Sequence, residues 1–200
     1  MDNVLSKANR TRQFIVESTA WIFNTKGYAG TSVADLTEAT KLTKGSIYGN
    51  FENKEEVALA AFEHNLNLVK QAINEQVKAA VTYQEKLMVY AVIYNKFMRD
   101  PFPKGGCPIL NTAIEADDTH LRLKAKAAAA IHRWKDDIVS LVKEGVKTGE
   151  FKAGMESNQL AFSIIALIEG GIMIAKVTDS PANLETVLKT VEMLILQLKA

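Results

Sequence analysis

The chain has 200 residues, 48% of them hydrophobic and 24% charged, with eleven glycines and four prolines. That composition fits a folded globular protein and excludes a disordered chain or a turn-rich β fold. A formal net charge of +1 leaves no bulk basic footprint, so any affinity for nucleic acid has to be local.

Helical periodicity runs through the sequence, and no segment alternates long enough to predict a strand. The first helix is expected over about Lys7 to Lys26, with Ile15, Ser18, Thr19, Ile22 and Phe23 facing inward and Gly27 as a left-handed C-terminal cap. A short second helix is expected from Ser32, where Ser32-Val-Ala-Asp35 has capping-box spacing, to about Thr40. Thr43 is placed to cap a third, short helix ending near Asn50. Asn53-Lys-Glu-Glu56 again fits reciprocal capping and opens a fourth helix toward Val81. Further helices are expected over Tyr83–Arg99, Cys107–Glu115, Thr119–Thr148, Ser157–Val177 and Pro181–Leu198. Pro101 to Gly106, Gly149, Gly154 and Ser180-Pro181 separate them.

Two short helices joined by a tight turn, the second opened by polar residues, have the layout of a DNA-reading helix-turn-helix. The second of them, Thr43-Lys-Gly-Ser-Ile-Tyr-Gly-Asn50, carries two glycines that each cost about 1 kcal/mol of helix propensity. Gly45 would let the backbone meet a phosphate with no side chain between them. Lys41, Lys44 and Lys54 supply cations, and Thr31, Ser32, Thr43 and Ser46 supply hydroxyls. Tyr48 suits a phosphate oxygen, Gly49 leaves room, and Asn50 can donate and accept. Ile47 and Phe51 are expected to pack inward.

The register Gly27-Tyr28, Thr31-Ser32-Val33, Asp35-Leu36, Lys41-Leu42-Thr43-Lys44-Gly45, Ser46-Ile47-Tyr48, Phe51 and Lys54-Glu55-Glu56-Val57 resembles the DNA-binding domain of the TetR family of bacterial regulators. The match covers about the first quarter of the chain, and Gly149-Glu150-Phe151 is also like that family. Two departures stand out. The family's Ala-Gly turn is Thr40-Lys41 here, and a lysine at positive φ costs on the order of 1 kcal/mol. Its Ala-Ala of the first helix is Ser18-Thr19, which requires the hydroxyls to bond back to the helix.

The resemblance implies an all-α fold of about nine helices. A helix-turn-helix domain over residues 1–53 would precede a helical ligand-binding and dimerisation domain over residues 54–200. It also implies a homodimeric regulator, by family default a repressor, that leaves a pseudo-palindromic double-stranded operator when a small molecule binds. Leu184, Leu188, Val191, Ile195 and Leu198 recur at spacings of four and three. With Ile164, Leu167, Ile168 and Gly171 they are expected to form the dimer seam, packing inside one chain being the alternative. Met88, Tyr90, Tyr94, Phe97, Met98, Cys107, Asn111, Trp134, Phe162, Glu169 and Met173 are candidates to line a cavity for an apolar or aromatic effector, with Asn111 or Glu169 as polar anchors; plain core packing is the alternative for any one of them.

Cys107 opens a short helix, where a lowered thiol pKa would favour thiolate chemistry; an inert buried cysteine is the alternative. Asp118 is expected to cap the helix that follows it. His64, His120 and His132 share no ligand spacing, so neither metal nor other cofactor is expected, and no nucleotide-binding or hydrolase motif points to an enzyme. The Lys7, Arg10, Arg12 start is unlike a secretory leader. The apolar run from Ala161 to Ala175, broken by Glu169, falls short of the roughly 20 residues of a membrane span. A single cysteine fits the cytoplasm, and no membrane partner is expected.

Overall fold

A computed structural model of the chain describes residues 7–96 and 103–200. The helices are α1 (Lys7–Gly30), α2 (Val33–Thr40), α3 (Lys44–Tyr48), α4 (Lys54–Ala79), α5 (Tyr83–Asn95), α6 (Pro108–Ala116), α7 (Leu121–Lys147), α8 (Ser157–Val177) and α9 (Pro181–Leu196). Among the described residues the only β pairing is an isolated antiparallel bridge between Phe151 and Lys199. The all-α expectation therefore holds, with helix boundaries within a few residues of those read from the pattern. Phe97 and Met98 lie outside the described residues.

The chain divides into two compact units, Met1–Leu68 with Pro103–Ala127, and Val69–Phe102 with Ala128–Ala200. The unit holding the helix-turn-helix thus also takes α6 and the start of α7, which the expected boundary at residues 53 and 54 would assign elsewhere.

In the first unit Ile15, Phe23, Leu36, Ile47, Phe51, Val57 and Ala58 form one buried core, so each short helix contributes at least one anchor. Thr19 is fully buried and donates its hydroxyl to the Ile15 carbonyl at 2.8 Å, the back-bonding its position requires. Gly27 adopts φ 72° and ψ 178°, and the helix kinks there. Ser32 and Asp35 form both halves of the capping box on α2, and the Thr43 hydroxyl accepts from the Ser46 amide on α3. At α4 only half of the expected box is made. The Glu56 amide donates to Asn53 Oδ1, while the Glu56 carboxylate turns to Arg122. Asp118 does not cap α7. His120 does, its Nδ1 accepting from the Leu123 amide at 3.3 Å, because α7 starts two residues later than expected.

In the second unit α9 packs on α8 and α5. Leu184, Leu188, Val191 and Ile195 of α9 and Ile164, Ile168, Gly171 and Ile172 of α8 are buried within the protomer. Each such aliphatic side chain contributes roughly 1.5–3 kcal/mol on burial. A Cβ on Gly171 would stand 2.9 Å from Leu184 Cδ1 and 3.2 Å from Val187, so the close crossing expected there is made inside one chain. The Gly149-Glu150-Phe151 signature has three separate tasks. Gly149 takes φ 77° to end α7. Glu150 accepts from the Tyr83 and Gln84 amides at 2.8 and 2.6 Å. Phe151 fills the space above Gly145, where a Cβ would overlap its ring. With the Thr82–Glu85 capping box, every amide of the first turn of α5 through Glu85 has a partner.

Candidate nucleic-acid interface

The turn between α2 and α3 is closed by Lys41 in the left-handed region, at φ 56° and ψ 20°. Thr40 steadies it: its buried hydroxyl donates to the Leu36 carbonyl at 2.7 Å and accepts from the Leu42 amide at 3.2 Å. The strain foreseen at Lys41 is therefore present, and Lys41 itself is exposed.

Only five residues of α3 are helical, held to the core by fully buried Ile47. Thr43, Lys44, Gly45 and Gly49 are exposed, and Ser46, Tyr48 and Asn50 are half-buried. A Cβ at Gly45 would meet nothing nearer than the Thr43 hydroxyl at 3.9 Å. The fold itself therefore does not require glycine here. Asn50 donates its amide to the Ser46 carbonyl, which fixes its side chain along the helix.

Three expected contact residues are differently engaged. Thr31 is 1% exposed and donates its hydroxyl to the Gly27 carbonyl, so it is a structural residue of the α1–α2 connection. Lys54 donates to the Tyr28 and Thr31 carbonyls at 2.8 and 2.9 Å, with its ammonium 4.2 Å from the Tyr28 ring centroid. Its charge is held by the protein, because the start of α4 folds back onto that connection. Ser32 remains exposed, but its hydroxyl is engaged with Asp35. Lys26, with the Ser32 backbone and hydroxyl, holds the Asp35 carboxyl far below its usual range.

Arg12, which sequence reasoning passed over, lies across Phe51 and donates to the Asn50 carbonyl, bracing the end of α3. Its signal, one of two arginines in the first turns of the first helix, is indistinguishable in sequence from any solvated charge.

The candidate effector residues fall into both units. Asn111 and Cys107 belong to the first. The Asn111 amide donates to the Asn24 carbonyl and side chain and to the Gly105 carbonyl, so it is a tether of α6 and no free anchor. Cys107 is 1% exposed and makes no side-chain cap, contrary to a reactive, accessible thiolate. In the second unit Tyr94 stacks on Trp134 at 4.9 Å and 19°, with Tyr90 at 6.3 Å and 24°. Burial, and secondarily the charge of Asp137, push the Tyr90 phenol upward, keeping it a protonated donor. Met88 and Glu169 are half-buried, whereas Phe162 and Met173 are 46% and 49% exposed and point away from any core. They leave the interior because the buried face of α8 is the one holding Ile164, Ile168 and Ile172.

Comparison with known proteins covers both units of the chain. The profile described as "Bacterial regulatory proteins, tetR family" matches residues 15–61, and "Tetracyclin repressor-like, C-terminal domain" matches residues 84–191. The chain belongs to the TetR family. A TetR-family regulator from Cytophaga hutchinsonii is 51% identical with a TM-score of 0.93, the match covering 98% of each chain. One from Chloroflexus aurantiacus is 35% identical with a TM-score of 0.92, again over 98% of each. The repressor DhaR of Mycobacterium sp. (strain GP1) is 26% identical over 183 residues, 90% of this chain and 89% of that protein. As a TetR-family member the protein is a DNA-binding transcriptional regulator with a helix-turn-helix head. Among the described residues no group of His, Cys, Asp and Glu could hold a metal ion.

Proposed function

We propose that this regulator is a cytoplasmic, non-enzymatic homodimeric repressor that leaves a pseudo-palindromic operator when an apolar or aromatic effector binds its second unit. The outward face of α3 carries this reading: Thr43, Lys44, Gly45, Ser46 and Tyr48 are presented around a glycine that the fold does not demand. Lys41, Gly49 and Asn50 flank the same face and complete the contact set. The aromatic character of the second unit, where Tyr90, Tyr94 and Trp134 stack, supports an aromatic effector, with Met88 and Glu169 kept as further candidates.

The dimer surface moves from the buried seam to the opposite side of the same helices. Phe162, Met173, Ile174 and Val177 of α8 and Met193 and Leu196 of α9 are 41% to 80% exposed. Helix α8 has 21 residues and is long and apolar enough to cross a membrane, longer than the run read from sequence. An apolar outer stripe on a helix whose other face is already packed supports pairing with a second copy across a two-fold axis. Leu167 and Gly170, half-buried beside the stripe, would sit at that contact.

The test is a gel shift with the DNA upstream of the regulator's own gene. Sequence-selective, salt-dependent binding by the wild type is expected. Retention by Lys44→Ala and Tyr48→Ala of full affinity and of the full salt slope would refute the assignment of α3 as the reading helix.

A further inference from the structure

The connection between α1 and α2 is gripped from two sides. Both oxygens of the Glu115 carboxylate on α6 accept backbone hydrogen bonds, from the Tyr28 amide at 2.8 Å and the Ala29 amide at 2.8 Å. On the carbonyl side Lys54 of α4 takes Tyr28 and Thr31. The residue Tyr28 thus has its N–H fixed by one helix and its C=O by another.

Gly27 makes this grip possible twice over. Its φ of +72° disfavours any L side chain, and a Cβ built on it would overlap the Glu115 carboxylate. The helix kink therefore turns two amides outward and leaves the space in which a carboxylate fits.

We infer that Glu115 is a positioning residue for DNA recognition, setting the α1–α2 connection and hence the angle at which α3 meets the duplex. The inference rests on the DNA-binding function but is independent of any effector. The lever is short, since Ser32 caps α2 only three residues beyond Ala29. Few buried residues fix the reading segment: α2 has Leu36 and Thr40, α3 has Ile47, and Phe51 with the Arg12 bond to Asn50 holds its far end. The other end of α6 is itself anchored, because Asn24 donates to the Lys104 and Gly106 carbonyls at 2.8 and 2.9 Å and accepts from Asn111. Glu115 thus acts from a fixed support. Half-exposed and acidic, it adds little to the apolar core, so its loss should be felt in geometry more than in stability.

The experiment compares wild type, Glu115→Gln and Glu115→Ala by amide hydrogen exchange, urea unfolding and titration of the gene's upstream DNA at several salt concentrations. In Glu115→Ala, exchange at Tyr28 and Ala29 should rise at least ten-fold while that of core amides such as Val57 and Phe62 stays put. DNA affinity should fall at least five-fold with an unchanged salt slope, since no phosphate contact is removed. Glu115→Gln keeps one acceptor oxygen and should lie between. Full DNA affinity in Glu115→Ala overturns the positioning role. So does a loss that tracks a uniform rise in exchange at all core amides, or one that reduces the salt slope as a lost phosphate contact would. A wild type that gives no shift refutes the DNA-binding function itself, and is thereby distinguished from a variant that shifts as well as wild type.

Discussion

The Arg12 guanidinium lies 3.8 Å from the centroid of the Phe51 ring, and its Nη1 donates to the neighbouring Asn50 carbonyl at 2.5 Å. A planar cation is thereby laid over the aromatic that closes the recognition segment. Cation–π contacts of this exposure contribute about 0.5–1 kcal/mol. Arg12→Ala should lower the urea unfolding free energy by about 1 kcal/mol and weaken DNA binding. Arg12→Lys should restore only part of either, because lysine lacks the planar guanidinium that covers the ring while its edge donates.

Glu150 caps α5 from outside that helix, so its removal leaves two amides without their carboxylate. Glu150→Ala should destabilise the protein by about 1–2 kcal/mol, within the range of lost helix caps. Thermal unfolding checks the magnitude, and unchanged exchange at Tyr83 and Gln84 would contradict the cause.

Asp35 and Glu85 both have carboxyls held below their ordinary values. For Asp35 the Lys26 hydrogen bond leads; for Glu85 the Thr82 amide leads. A folded-state pKa below the unfolded one gives stability that is present above roughly pH 4 and is lost as pH falls through the folded value. Stability should therefore decline on acidification below about pH 4. Asp35→Asn should flatten that decline relative to wild type in urea melts at several pH values.

Cys107, 1% exposed, should react with an aromatic disulfide reagent far more slowly in the native protein than in urea. Cys107→Ser should retain whatever effector response the wild type shows. A fast native reaction would revive the thiol-sensing alternative.

Phe162→Glu and Met173→Glu place charge on the outward stripe of α8 without touching its packed face. Sedimentation should show these variants shifted from dimer to monomer, with helicity kept. Leu188→Ala, on the buried seam, should instead lower stability by about 2–5 kcal/mol.

Much of the fold could be read in advance, because periodicity and capping chemistry are local. Ser32 and Asp35 stand three residues apart and form the box that spacing predicts. The same logic located Thr43, while the Thr40-Lys41 turn followed from the family resemblance. What periodicity cannot supply is the identity of the covering partner. Leu184, Leu188, Val191 and Ile195 read as a seam, and so they are, but the surface against them belongs to the same chain. Charged and amide side chains were the other blind spot. Lys54 at a helix start looks like a phosphate contact until two carbonyls are found within reach. Asn111 looks like a ligand anchor until Asn24 and Gly105 occupy it. Glu115 gave no signal of this role, because beside Asp117 and Asp118 it reads as the ordinary acidic end of a helix.

Lys41 keeps a backbone conformation that glycine would adopt without strain, at a cost on the order of 1 kcal/mol. A glycine there would relax the turn and remove an exposed cation beside the reading helix. Stability and operator affinity should therefore rank Lys41→Gly and wild type in opposite orders. The head domain is then held below its own stability optimum at this turn, and a screen for thermal tolerance alone would select against its working form.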